Sequence, residues 1–372
     1  MAGIALPLVS SLRPVTGSPA EVLDMLREWN AVPGEPAPLV IETSGSTGVP
    51  KRVVLSRKAM RASASATAAR IGGHGQWLLN LPASYVAGVQ VLFRSVLAGT
   101  DPVLLDDHDG FATAAAAMSG RRRYVSLVPT QVDRMLRSPG DIDALRSFHV
   151  VLVGGAAVDD ELRATATRAG VRVVATYGMS ETCGGCVYDG VALDGVAAKI
   201  SADGQIRLGG PTLFSGYEAD RDLTNEVMEG GWFLTSDYGR LDDDGRLEVL
   251  GRMDDVVISG GVNVPTQAVA ERVRSHPSIA TAEVVGVPDA EWGHRVVAVV
   301  VSLAYVEARK VPLLDEVRNW VSQAHPREWA PRQLVRVDEI PLLPSGKVDR
   351  RAVEALAAPP SPARERRAPG AR

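Results

Sequence analysis

The chain has 372 residues and nowhere a run of about 18 apolar side chains, so hydropathy offers no membrane-spanning helix. The opening MAGIALPLVS has neither a basic segment nor a clear cleavage site, and the expectation is an unexported, cytoplasmic protein. Charge of one sign is also missing. Forty basic residues face 44 acidic ones, and a net charge of -4 makes no electrostatic case for nucleic acid or an anionic membrane as partner. Cysteine is scarce: Cys183 and Cys186 stand alone as CGGC, and no second pair or HxxxH exists to complete a zinc site. They are read as small residues lining a tight loop and not as a metal or redox pair. The six histidines are scattered without ligand spacing. No strand runs into GxGxxG followed by an acidic ribose ligand, which removes the nicotinamide oxidoreductases.

What is present begins with rhythm. Helix and strand signals alternate from residue 20 to about 176, with short strands at 39–41, 53–55, 77–81, 103–105, 124–128, 150–153 and 171–176. Helical patterns fill the gaps, Ser56 reads as an N-cap for a helix reaching Arg70, and an apolar helix over 86–97 stops at Gly99. This is an α/β pattern, and in such sheets ligands gather at the carboxyl ends of strands. From 195 to 250 short β runs separated by turns such as Asp244-Gly245 suggest a small barrel-like section. A second α/β-type pattern follows, with strands near 256–258, 282–286 and 295–303 and helices near 267–275 and 313–323. The predicted organisation is an N-terminal domain over 1–253, a small mobile α+β C-terminal domain over 254–357, and a Pro-, Ala- and Arg-rich tail over 358–372 expected to be disordered.

The most informative segment is TSGSTGVPK, Thr43 to Lys51, directly after the apolar run 39–41. Glycines let backbone N–H groups approach an anion, hydroxyls add rotatable donors, and the lysine supplies mobile positive charge. It is not a Walker A loop, because Pro50 precedes Lys51 and Arg52 follows it. By itself such a loop is also compatible with a solvated turn. The remaining motifs decide between the two.

TSGSTGVPK, YGMSET from Tyr177, TSD ending at Asp237, GRMDDVVISGGVNV from Gly251 and PSGKVDR from Pro344 follow one another in an order and spacing that resembles the adenylate-forming acyl-CoA synthetase superfamily. The resemblance covers about residues 38 to 352. It implies that family's fold, shortened here at the N-terminus, and a two-step reaction: a carboxylic acid is adenylated by ATP with loss of pyrophosphate, then passed to the thiol of coenzyme A. By the same resemblance Thr43, Ser44, Gly45, Ser46, Thr47 and Gly48 hold the β- and γ-phosphates and Lys51 neutralises them. Tyr177 stacks on adenine, with Gly178 and Thr182 beside it, Glu181 holds Mg²⁺, and the Gly154-Gly155-Ala156 backbone lines the adenine pocket. Asp237 grips the ribose hydroxyls with Arg252 behind it. Lys347 reaches the reacting carboxylate and the α-phosphate from the small domain, Asp254 is the hinge on which that domain turns, and Gly260 and Gly261 line the pantetheine tunnel.

The compact length and the segments LPASYVAGVQVLFRS, SLVPTQ and YGMSETCGGCVYDG resemble the o-succinylbenzoate-CoA ligases of menaquinone biosynthesis. That acid carries a second carboxylate, so a fixed cation belongs in its pocket. Arg94, on an apolar helix, is the candidate, with Ser126 as helper; the alternative is that Arg94 pairs with a structural Asp or Glu. Tyr85, where many relatives carry His, serves as a pocket wall. With the region before the phosphate loop short, walls can come from a neighbouring chain, so a homodimer is an expected assembly. Another aryl- or acyl-CoA ligase, or an adenylation enzyme loading a carrier protein, would share every ATP motif.

Overall fold

The computed structural model describes residues 12–43, 50–303, 312–342 and 348–358, and these divide into two compact units. The first takes in the described residues up to 200 with 206–235 and 241–248, the second 201–205, 236–240 and the described residues from 249 onward.

The first unit is built on a seven-stranded sheet. In spatial order its strands are Val191–Ala192, Gly184–Tyr188, Val173–Met179, Val150–Val153, Arg123–Leu127, Gln76–Leu79 and Val103–Leu104. The last five run parallel, while Gly184–Tyr188 turns back antiparallel on Val173–Met179. Such strands are buried on both faces, and successive side chains go to opposite cores. Trp77, Leu79, Tyr124, Val150 and Leu152 join one core with the helices Pro19–Ala31, Arg57–Ile71 and Val86–Ala98. Leu78, Val125, Leu127, Val151 and Val153 join the other, under the helices Phe111–Ala116, Pro139–Arg146 and Asp160–Arg168. Helices on both faces of a mostly parallel sheet are the α/β architecture that the sequence rhythm predicts.

Local chemistry sets the helix ends. Ser18 and Glu21 form a reciprocal capping box, the Ser56 hydroxyl accepts from the Ala59 N–H at 3.1 Å, and Gly72 and Gly99 close their helices in the left-handed conformation. Pro129, just beyond the strand Arg123–Leu127, is the first residue of a helix, Pro129–Met135, because a proline's missing N–H costs nothing at that position. The strand expected to finish at 176 continues through Met179, so Tyr177 and Gly178 lie within it.

A smaller sheet runs in the order Arg13–Pro14, Leu39–Thr43, Lys51–Leu55 and Gly216–Tyr217, with Leu39–Thr43 and Lys51–Leu55 antiparallel. The section expected to be barrel-like forms a five-stranded sheet instead, Ala197–Ile200, Gln205–Gly209, Trp232–Leu241, Met228–Glu229, with Leu247–Arg252 joined to the third.

The second unit has its own sheet. Val262–Pro265, Val256–Ser259, Gly293–Ser302 and Ile279–Asp289 lie in that order, and Gln333–Arg336 pairs parallel to Gly293–Ser302. Val296, Ala298 and Val300 pack with the helices Thr266–Arg274 and Leu314–Ser322, and Val297 and Val299 with Arg350–Ala357. No helix among the described residues is long and apolar enough to cross a membrane.

Candidate active site

At the carboxyl end of the strand Val150–Val153 the chain passes straight into Gly154 and Gly155. A Cβ at Gly154 would stand 2.4 Å from the Thr176 hydroxyl, and Gly155 has φ +82, so both positions demand glycine. Gly155 and Ala156 are exposed and present bare backbone at the strand end. On the neighbouring strand, Gly178 is pressed against the next one; a Cβ there would meet the Gly184 carbonyl at 2.2 Å. Tyr177, one residue earlier, is half-buried and packs beside the core cluster of Cys186, Val187, Ile206, Leu208 and Leu247.

After Met179 the chain makes a single 3-10 turn, Ser180–Thr182. The Thr182 hydroxyl accepts from the Met179 N–H at 2.9 Å and donates to the Gly184 carbonyl at 2.7 Å, and the residue is fully buried. Thr182 therefore shapes the turn that carries Glu181. One Glu181 oxygen accepts the Tyr217 hydroxyl at 2.7 Å. Tyr217 in turn lies under Lys51, whose Nζ is 5.3 Å from the ring centroid. Burial raises the Tyr217 pKa well above its ordinary value, and the Glu181 carboxylate raises it further, so the hydroxyl remains a donor. Thr43 stands opposite Lys51 in the hairpin register, its hydroxyl 3.4 Å from the Lys51 carbonyl. The base of the Ser/Thr/Gly segment is thus tied to the acidic turn through one tyrosine. Ser44, Gly45, Ser46, Thr47 and Gly48 lie outside the described residues, as does Lys347.

Sequence reasoning missed Tyr217. In FSGYEAD it has no motif chemistry of its own, and only the pairing of Gly216–Tyr217 with Val53 and Val54 brings it between Lys51 and Glu181.

The acyl candidates separate. Arg94 is buried on the Val86–Ala98 helix, its guanidinium 5.0 Å from the Trp77 ring centroid and donating to the Thr67 hydroxyl at 3.1 Å. Thr67 continues to the Tyr188 hydroxyl at 3.0 Å. Nε of Arg94 has no partner, and among the described residues no carboxylate pairs with the side chain, which answers the structural-pair alternative. Burial lowers the Arg94 pKa. Ser126 faces the same core but sits two residues beyond Tyr124, the neighbour of Trp77, so it lies one layer nearer the strand ends than the guanidinium. Tyr85 stands at the N-cap of that helix without a side-chain capping bond and is 49% exposed.

Cys183 and Cys186 are buried thiols. Cys183 takes a left-handed backbone (φ 54), and its carbonyl accepts from Ser63 at 3.0 Å and Gln90 at 2.8 Å. Burial pushes the Cys186 thiol up to about 12 and Cys183 higher still, which removes both as thiolates.

In the second unit, Asp237 is buried and its Oδ1 accepts from Arg252 Nη1 at 3.0 Å. Arg252 leads directly into the 3-10 turn Met253–Asp255, where Asp254 is exposed. Gly260 and Gly261, at φ +59 and +79, form the hairpin turn between Val256–Ser259 and Val262–Pro265. Gly260 lies against Trp292, and a Cβ there would come within 2.7 Å of the indole.

Residues 26–217 match the model of the AMP-binding enzymes, and residues 268–347 match that of the AMP-binding enzyme C-terminal domain. The chain is 42% identical over 322 residues to the probable 2-succinylbenzoate–CoA ligase of Mycobacterium tuberculosis, covering 85% of this chain and 83% of that one. It is 29% identical over 371 residues to the 2-succinylbenzoate–CoA ligase of Bacillus anthracis, covering 94% and 75%. Among solved structures it is similar to the o-succinylbenzoate CoA synthetase of Bacillus subtilis in complex with the acyl-adenylate intermediate OSB-AMP, with a TM-score of 0.68, 26% identity, and 85% and 68% of the two chains covered.

Proposed function

The chain belongs to the AMP-binding enzyme family, and from that premise we propose that it is an acid–thiol ligase that activates 2-succinylbenzoate as its acyl-adenylate and passes the acyl group to coenzyme A. The observation that supports it most is the 42% identity to a probable 2-succinylbenzoate–CoA ligase across more than four fifths of both chains, together with an intact Lys51–Tyr217–Glu181 line. ATP-dependent pyrophosphate exchange that requires 2-succinylbenzoate tests the reading. Exchange with benzoate or acetate at equal efficiency would overturn the substrate assignment.

The chemistry asks for charge management around phosphate, where fixed cations and N–H donors stabilise a transition state best. Lys51 neutralises the leaving pyrophosphate; the bare backbone of Gly154 to Ala156 and the half-buried Tyr177 ring suit adenine. Asp237, held in place by Arg252, accepts from the ribose hydroxyls. Magnesium fits Glu181 because its second oxygen is not occupied by Tyr217, and a hard cation takes a carboxylate oxygen together with waters and phosphate oxygens. When bound, the ion would neutralise charge on the phosphate oxygens. The Tyr217 hydroxyl orients the carboxylate that would hold it.

For the acid, the buried Arg94 guanidinium with an unsatisfied Nε is assigned to the aryl carboxylate. Lys347 is assigned to the reacting carboxylate and the α-phosphate, Asp254 to the hinge, and Gly260 and Gly261 to the pantetheine path.

A further inference from the structure

We propose that the first unit carries a second ligand site, for an organic anion with an apolar body, at the amino-terminal edge of its parallel sheet. A cavity of about 460 Å³ opens there, its wall combining three arginines, Arg70, Arg172 and Arg246, and one acid, Asp189, with the apolar or aromatic Ile71, Val150, Val174, Tyr188 and Val191. Its place is distinct from the nucleotide end. Val150 is the first residue of the strand whose last residue, Val153, leads to Gly154, so the two ends lie about 10 Å apart along one strand.

The charge in this cavity is unbalanced. Arg70 donates to the carbonyls of Val191 and Ala192, and Arg246 to the carbonyl of Asp189. Among the described residues neither of them, nor Arg172, has a carboxylate partner. The single acid in the wall, Asp189, is paired with a further arginine, Arg163, at 2.9 Å, and the same Oδ1 accepts from the Ala175 N–H at 3.0 Å. Arg122 and Arg172 both lie close enough to Tyr124 to oppose the rise that burial causes in its pKa, so positive charge continues along the sheet edge. Helix carboxyl ends collect at this edge, and arginines complement them. Each such end supplies only about half a charge, however, which leaves the three guanidiniums in excess.

The lining selects the ligand. Arginine forks match carboxylate or phosphate oxygens. Five apolar or aromatic walls beside them favour a ligand with a hydrocarbon or aryl body over a bare inorganic ion, and the volume lies in the range of small-molecule sites. The floor residue Tyr188 pairs across the sheet with Thr176, the side chain that crowds Gly154, so occupancy of the cavity touches the strand next to the adenine end.

Isothermal titration of the full-length protein with 1-naphthoate tests this, against Arg172→Glu and Val191→Trp variants; both residues are exposed, so the fold is retained. Naphthoate is expected to bind the wild type and to lose about tenfold to a hundredfold in affinity in Arg172→Glu, as for a charge-assisted contact. Val191→Trp should lose as much by filling the mouth. Inorganic pyrophosphate should bind at least about tenfold more weakly than naphthoate. Undetectable naphthoate binding at millimolar concentration, equal binding in wild type and both variants, or pyrophosphate binding as tightly as naphthoate would each overturn the proposal. Succinylbenzoate-dependent exchange should be unchanged in Arg172→Glu, so failure of this site and failure of the proposed activity are separate results.

Discussion

A tyrosine hydroxyl between a lysine and a glutamate is the contact on which the candidate site turns. Tyr217→Phe removes the donor at 2.7 Å from Glu181 while keeping the ring under Lys51. The expected outcome is a magnesium requirement for pyrophosphate exchange raised by about tenfold, as for loss of one hydrogen bond to a charged group, with KM for the acid little changed. An unchanged magnesium titration would remove Tyr217 from the metal's support. The same residue has a pH signature. Its folded pKa is raised above the unfolded value, so its share of stability is complete below about pH 10 and is lost as pH rises beyond that. Cys183 and Cys186 act in the same direction from about pH 8.5 upward, the Cys186 share being lost as pH approaches about 12. Both thiols should resist a thiol reagent at pH 8 until the protein is unfolded. Rapid labelling of the native protein would contradict their burial. Arg94→Met should raise KM for 2-succinylbenzoate well above any change for benzoate, and should raise Tm, because an unpaired buried charge is replaced by an apolar chain. A lower Tm would mean that Thr67 and Trp77 are the whole purpose of the guanidinium.

Elements carry a different kind of test. Within the strand Val173–Met179, Gly178 has no room for a methyl group, whereas Gly140, in the helix Pro139–Arg146, has nothing within 4 Å of a Cβ. Gly178→Ala should cost about 1–3 kcal/mol by denaturant unfolding and disturb the Glu181 turn. Gly140→Ala should gain about 0.5–1 kcal/mol with activity intact. Equal effects of the two would show that the close strand approach is not what holds the turn. At this scale much was legible in the sequence: Ser56 does cap its helix and Gly99 does end the next, because caps are local chemistry. The extent of the strand through Tyr177 was not legible, since it depends on partners at Tyr188 and Val187 that arrive from a later segment.

For the whole molecule, the assignment of Lys347 predicts a division of labour. Lys347→Ala should slow adenylation by about 10² to 10³ and leave thioester formation from synthetic acyl-adenylate nearly untouched. Equal loss in both half-reactions would refute a role confined to the first step. Two units each with a core of its own suit a chain that performs two reactions.

The sequence by itself determined the family, the α/β alternation and the order of the phosphate, acidic and ribose motifs, because these depend on residue type and spacing along the chain. Tertiary structure alone decided that Tyr217 bridges Lys51 and Glu181, that Arg94 is buried against Thr67 and Trp77 with no carboxylate partner among the described residues, and that three arginines share a cavity at the far edge of the sheet. These contacts join segments tens to more than a hundred residues apart, brought together by strand pairing and burial, and no local pattern encodes the partner.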